Sequence, residues 1–407
     1  MSMTNAAQIE ALAKLNKDIK TAATVLTPQE ARYLVDTFYQ LQDYRKMFDN
    51  QCRQLTTTPE GEPCGTLAFF GANFATLEKN VQTVLETYAK SQPIGQWMMS
   101  IMGIGPIIAA GIMAHVDIKK VQTAGEIHAF AGVDPNRPWL GKDKAKTLIN
   151  RLWDKYDFKK PNLGTLVKFD PDNENPEGSE SLQFNDKELM FFTELSQETG
   201  RKVDKLITMM LGNEDDITVD DESKLEDDYD PYATTNPDKP KKKKHTHKSR
   251  LMAKLAQPPW NTRLKVLTWK IGQSFVKVSN NPKDYYGKIY QAKKAYYIAK
   301  NEALDYADQA KHKLATVKIG KNTQTYKCYL SGKLPPSHID QRAQRYAAKM
   351  FLSHMFQVWY EYEHGTPAPL PYPIAVLGNH IHLNEVPNWP FSRPQQTVAG
   401  PGPKDND

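Results

Sequence analysis

Apolar residues recur at three- and four-residue steps along most of this chain, the spacing of one buried face on an α-helix. Thr27, Pro28 and Glu30 open the first strong series as a capping box with proline at the first helical position. Ala31, Leu34, Val35, Phe38, Leu41 and Phe48 continue it. After a turn at Thr56 to Gly65, the residues Phe70, Phe74, Leu77, Val81, Val84 and Tyr88 alternate steps of four and three, the heptad signature of a coiled-coil seam. Two such helices joined by a short turn predict an antiparallel hairpin. Residues 1–26 read as a loose helix.

From Trp97 to Val116 no Asp, Glu, Lys or Arg occurs. By length this run could cross a membrane, but Gly103-Ile104-Gly105-Pro106 falls in its middle and the chain has no second apolar span. The better reading is a helix-hairpin-helix. One helix ends at Met102, glycine permits φ > 0 in the turn, and Pro106 takes the first position of the next helix. Thr123 and Glu126 predict a capping box on a third helix, which Gly132 and Pro135 stop.

From Asn261 a helix buries Leu264, Leu267, Ile271, Phe275 and Val278, with Arg263, Lys265, Lys270 and Lys277 between them. Tyr285, Tyr286, Tyr290, Tyr296 and Tyr297 then alternate with Lys288, Lys293, Lys294 and Lys300. Such tyrosines are core with wet hydroxyls or platforms for unpaired bases, and the first reading is preferred. Ile339 to Tyr362 is amphipathic, and prolines from Pro367 to Pro403 predict an extended tail. The expected fold is all-α: a coiled-coil hairpin, a helix-hairpin-helix module and a C-terminal helical bundle, with a disordered charged insertion. The expected segments are 1–92, 93–157, 158–258 (the insertion), 259–364 and 365–407.

Charge and composition narrow the function. The 407 residues carry a net charge of +6 with pI about 8.8, and mean hydropathy is −0.63. A polyanionic partner is allowed but not demanded. The insertion is acid-rich at Asn213 to Asp230 and basic at Asp238 to Arg250, opposed blocks that usually stay disordered. Cys52, Cys64 and Cys328 show neither metal spacing nor a disulfide framework, and no signal pattern opens the chain, so a reducing cytoplasm is expected. No membrane partner is expected. His380 and His382 with Glu385 are a weak metal candidate lacking further ligands. His245 and His247 read as solvated linker residues.

The glycine turn and the helix N-terminus after it form an anion site suited to a DNA phosphate, read by shape rather than sequence. The candidate DNA-binding residues are Gly103, Ile104, Gly105 and Pro106, with Lys119, Lys120, Arg137, Lys142, Arg263 and Lys265 as nearby cations.

The stretch GIGPIIAAGIMAHVDIKKVQTAGEIHAFAGVDP resembles the C-terminal domain of insertion-sequence transposases guided by a bridge RNA, relatives of the pilin-gene invertases. The resemblance resumes over Asn261 to Lys293 and over Ser331 to Glu363, together about a quarter of the chain. It implies DNA as partner, a guide RNA as a further one, and a homo-oligomer assembled through the coiled coil. It also implies a serine nucleophile in the loop after the hairpin, but that slot, Trp139 to Lys142, holds no serine. Ser249 keeps the family's order across the insertion and is the one catalytic candidate. The family's N-terminal RNase H-like domain and its four carboxylates are not evident, so Mg²⁺ enters only with a catalytic partner domain. The expected function is DNA binding in a transposition or site-specific recombination system. The alternatives are a non-catalytic architectural DNA-binding protein and a helical assembly protein with no nucleic-acid ligand.

Overall fold

The computed structural model describes residues 17–57, 64–134, 139–167, 181–211, 246–375 and 385–390. Arg137, His380, His382, His245 and the acid-rich block at 213–230 lie outside them. The described chain is all-α apart from two three-residue strands, β1 (Thr165–Val167) and β2 (Ser181–Gln183), paired antiparallel with Leu166 opposite Leu182. Among the described residues, no helix is long and apolar enough to cross a membrane. Contacts divide the chain into two units, one of residues 1–133 and 262–407, the other of 134–261.

The first unit begins with α1 (Lys17–Ala22) and a 3-10 turn, then α2 (Pro28–Thr56) and α3 (Gly65–Lys90). Thr27 caps α2 through the predicted box, its hydroxyl accepting from the Glu30 amide while Glu30 accepts from the Thr27 amide. Partners descend along one helix as they ascend the other: Phe48 stacks on Phe70 and Phe74, Tyr44 on Phe74, and Arg45 pairs with Glu78 at 2.7 Å. The two helices are therefore antiparallel. Their proximal halves, with Val35, Phe38, Leu85 and Tyr88, enter the unit's own core. Farther out, Phe69, Phe70 and Leu77 remain 53, 47 and 41% exposed.

Next come α4 (Pro93–Ser100), α5 (Pro106–His115) and α6 (Ala124–Phe130). The sequence resumes in this unit with α11 (Thr262–Val278), α12 (Tyr286–Glu302), α13 (Ala307–Thr316), α14 (Gln324–Leu330), α15 (Pro336–His364) and α16 (Tyr372–Ala375). The long α15 is the spine. Ile339, Ala343, Ala347, Phe351, Met355 and Val358 form one buried stripe at helical spacing, and Gly365 ends the helix in the left-handed region at φ 66°. Trp97 stacks on Phe351 with centroids 5.8 Å apart, and Phe275 stacks on Tyr286 at 4.8 Å. The Tyr286 hydroxyl lies 2.9 Å from His354 Nδ1, giving the buried phenol a polar partner. A satellite core of Ala310, Tyr329, Leu334 and Ile339 holds α13 and α14 against the start of α15.

The second unit holds α7 (Gly141–Lys155), the strand pair, α8 (Asp186–Thr199), α9 (Val203–Leu211) and α10 (His247–Ala256). The sequence reading assigned 158–258 to a largely disordered insertion. Its described residues instead fold, with Phe191, Phe192, Leu195, Leu206, Met210, Leu251 and Leu255 packing against Leu148, Ile149, Leu152 and Trp153 of α7. Asn185 and Glu188 form a complete capping box on α8. The apolar residues on either side of the charged blocks were too spread in sequence to stand out, yet they bury together.

Smaller corrections follow from the same packing. Thr123 makes no side-chain cap bond on α6; Glu126 instead accepts from the Gln122 amide at 2.9 Å. His247 is not a solvated linker residue, since its Nδ1 lies 3.1 Å from both the Leu163 amide and the Leu163 carbonyl oxygen, and burial lowers its pKa. The helix before the glycine turn ends at Ser100, two residues earlier than expected.

Candidate nucleic-acid interface

The turn between α4 and α5 runs Ile101 to Gly105. Gly103 has φ +92°, and a Cβ there would meet Ser274 Oγ at 3.2 Å and Phe275 and Val278 at 3.3 Å. Backbone conformation and close approach both demand glycine at this position. The Ser274 hydroxyl donates to the Gly103 carbonyl, tying the turn to α11. Ile104 is buried at 5% exposure and anchors the turn in the core.

Gly105 differs. It is the N-cap residue of α5, in extended backbone at φ −92° and ψ 172°, and nothing lies within 4 Å of where its Cβ would stand. Any L-residue fits that backbone. The first hydrogen bond inside α5 runs from Ala109 to the Gly105 carbonyl, so the first-turn amides have no acceptor within the helix. Pro106 at the first helical position removes one donor and fixes the others. Open space at the Gly105 Cβ position and first-turn amides without an acceptor among the described residues are features that anion sites at helix N-termini share.

The candidate cations fall into three groups. Lys119 and Lys120 sit on the 3-10 turn Ile118–Lys120, their side chains 73 and 83% exposed, paired with Glu363 at 3.2 Å and Asp117 at 3.3 Å. Exposed pairs of this kind are worth about 0–1 kcal/mol, so a phosphate exchanges with them at little cost. Arg263 pairs with Asp36 on α2, and Lys265 is half-buried, its pKa lowered by burial and by Arg345. Lys142 belongs to the second unit, in the first turn of α7. His115, at the end of α5, is pushed down to about 4 by burial and by Arg32 and Arg263, and is neutral at physiological pH.

Ser249 also lies in the second unit, near the start of α10. Its amide donates to the Thr246 cap at 3.2 Å and its hydroxyl donates to the Thr246 carbonyl at 2.9 Å. That hydroxyl is engaged in closing a helix turn. The loop slot where the resemblance places a serine holds Trp139, whose indole N–H donates to the Ala256 carbonyl at 2.9 Å and whose ring packs edge-on against Trp260. Another Ser–His contact, Ser353 Oγ to His128 Nε2 at 3.1 Å, has no sequence signature because 225 positions separate the two. The same Nε2 lies 3.1 Å from the Lys349 carbonyl, which can only accept. The Nε2 of His128 is thus shared between Ser353 and a backbone carbonyl. Among the described residues, no group of three or more His, Cys, Asp or Glu is placed to hold a metal ion.

The tyrosines divide. Tyr286 and Tyr290 are core, as the preferred reading expected, whereas Tyr296 is 48% exposed. Lys293 and Lys300 lie 5.1 and 5.4 Å from the Tyr296 ring centroid.

No curated protein and no solved structure matches the chain. A family model described as "Transposase IS116/IS110/IS902 family" matches residues 95–156, running from α4 through the glycine turn and α6 to the end of α7. The match supports a transposase-like protein and suggests a transposition-related function.

Proposed function

We propose that this chain binds duplex DNA through the backbone of the Gly103–Pro106 turn, as a component of a transposition or site-specific recombination system. The observation that carries the reading is the open N-cap at Gly105, lying inside the stretch that the transposase family model matches. Contact to phosphates through amides positions a protein on DNA without reading bases, so weak sequence preference is expected. The engagement of Ser249 by Thr246 and the packing of Trp139 favour a DNA-binding role over strand joining by this chain alone.

The test exploits the N-cap geometry. Asp is among the best N-cap residues, so Gly105→Asp should leave the fold intact or firmer while placing a negative charge where the phosphate docks. Duplex affinity at matched salt should fall about tenfold or more, the size of a lost charge-assisted contact. Gly105→Ser, a neutral cap, should lose much less. An Asp variant that is folded by circular dichroism and binds as tightly as wild type would falsify the assignment. Incubated with supercoiled DNA and Mg²⁺, the wild-type protein should yield no covalent protein–DNA adduct.

The same reading includes a homo-oligomer joined along the outer part of the α2–α3 pair, where Phe69, Phe70 and Leu77 stay exposed. Phe38, nearer the base of the pair, turns into the protomer's own core. Phe70→Ser combined with Leu77→Ser should lower the mass seen in light scattering. An unchanged mass would place the contact elsewhere.

A further inference from the structure

We infer that Arg342 centres a phosphate-binding site for a single-stranded nucleic-acid segment, built on the first half of α15 and on α12 from residues other than the glycine turn. The Arg342 guanidinium lies over two tyrosine rings, 4.6 Å from the Tyr306 centroid and 5.4 Å from that of Tyr297. Stacking holds the planar fork in one orientation. Its Nη1 is buried, yet no acceptor among the described residues meets it. A buried donor on a charged group is costly to leave unmade, and an oxyanion supplies what it lacks.

The surroundings are rich in cations. His338 feels burial and then Arg342, Arg345 and Lys313, all of which hold its pKa below the ordinary imidazole value. Three carboxylates of the neighbouring segments are committed elsewhere, Asp340 to Lys294, Asp305 to Lys300 and Glu302 to Lys333, while Asp308 of α13 has no ion pair among the described residues. Among the described residues, none pairs with Arg342, Arg345, Lys313 or His338. His338 lies in the first turn of α15, and Arg342 and Arg345 follow in the second and third, beyond the reach of the helix dipole. A bound anion relieves every one of these costs together.

A phosphate fits better than a carboxylate, because its several oxygens meet several cations at once. A single strand fits better than a duplex because of the neighbouring rings. Tyr296 is exposed and touches Tyr297 at 5.6 Å, and Lys293 lies 4.4 Å from the Tyr346 ring centroid. Unpaired bases stack on such rings, while bases inside a duplex cannot reach them.

The experiment measures fluorescence anisotropy of the full chain with labelled oligothymidylate and, separately, with its duplex, at several salt concentrations. Arg342→Gln should weaken oligothymidylate binding about tenfold and reduce the salt slope by about 0.7. Arg345→Gln, at an exposed side chain whose Nε donates to the Gln341 carbonyl within its own helix, should act in the same direction and keeps the test decisive if Arg342→Gln misfolds. Tyr296→Ala should weaken the single strand and spare the duplex, whereas Gly105→Asp should do the reverse, so the two sites fail separately. Unchanged oligothymidylate affinity in the folded arginine variants overturns the site. Equal losses for both nucleic acids in Tyr296→Ala, or displacement by inorganic phosphate at the strand's own affinity, overturns the single-strand assignment.

Discussion

Gly95→Ala is expected to destabilise the first unit by about 3 kcal/mol or more, the upper end of what overpacking usually costs. A Cβ at Gly95 would stand 2.0 Å from the Ala89 carbonyl oxygen, 2.8 Å from its carbon and 2.9 Å from Met113 Sδ. The sulfur is the end of a flexible side chain and can turn away. The carbonyl cannot, because it belongs to the last turn of α3 and Ala89 is fully buried. Relief therefore requires α4 to move off the end of α3, and α4 carries Ile94, Trp97 and Met98 into the core. Thermal denaturation followed by circular dichroism should show a midpoint lowered by roughly 6 °C or more, at about 2–4 °C per kcal/mol for a unit of this size. Because α4 orients the glycine turn, DNA affinity should fall with it. A midpoint within 2 °C of wild type, measured against that per-kcal/mol scale, would show that the two helices do not approach this closely. Gly105→Ala is the internal control: its Cβ meets nothing, so its midpoint should stay near wild type.

Trp97→Ala should cost about 3–5 kcal/mol, the range for emptying a buried Trp site. Trp97 is 1% exposed and stacks face-on against Phe351 of α15, so its loss leaves a cavity at the centre of the spine. Its indole N–H also donates to the Pro387 carbonyl at 2.9 Å. That bond holds the segment 385–390 beside α4, helped by Asn388 donating to the Ser100 carbonyl and by the Tyr285 hydroxyl donating to the Glu385 carbonyl. Trp97→Phe separates packing from tethering. It keeps most of the buried area and removes only the donor, so stability should fall by about 1–3 kcal/mol while amide exchange at 385–390 rises clearly. Exchange that stays at the wild-type rate in Trp97→Phe would assign the tether to Asn388 and Tyr285 instead.

Both effects mark a boundary between what sequence carries and what it does not. Helical spacing made the α2–α3 pair, the α15 stripe and the all-α class legible, because a period of three or four residues is a local consequence of burying one helix face. The Thr27 and Glu30 box formed as read, since its partners lie three residues apart. Gly103 was legible as a left-handed turn residue for the same local reason.

Tertiary structure decided the rest. Gly95 looked like any helix glycine until Ala89 was packed over it. Gly105, read together with Gly103 as one turn, proved to need no glycine at all, since nothing among the described residues stands where its Cβ would be. Charge blocks inside 158–258 suggested disorder, but Phe191 and Leu251 find the face of α7 only once the chain folds back. The Arg342 cluster draws residues from Lys313 to Arg345 and from α12 into one place, with no spacing rule to join them. Local periodicity determined which segments are helices and which faces are apolar. Only the packing of distant helices decided which glycines are required and which polar groups among the described residues are left without partners.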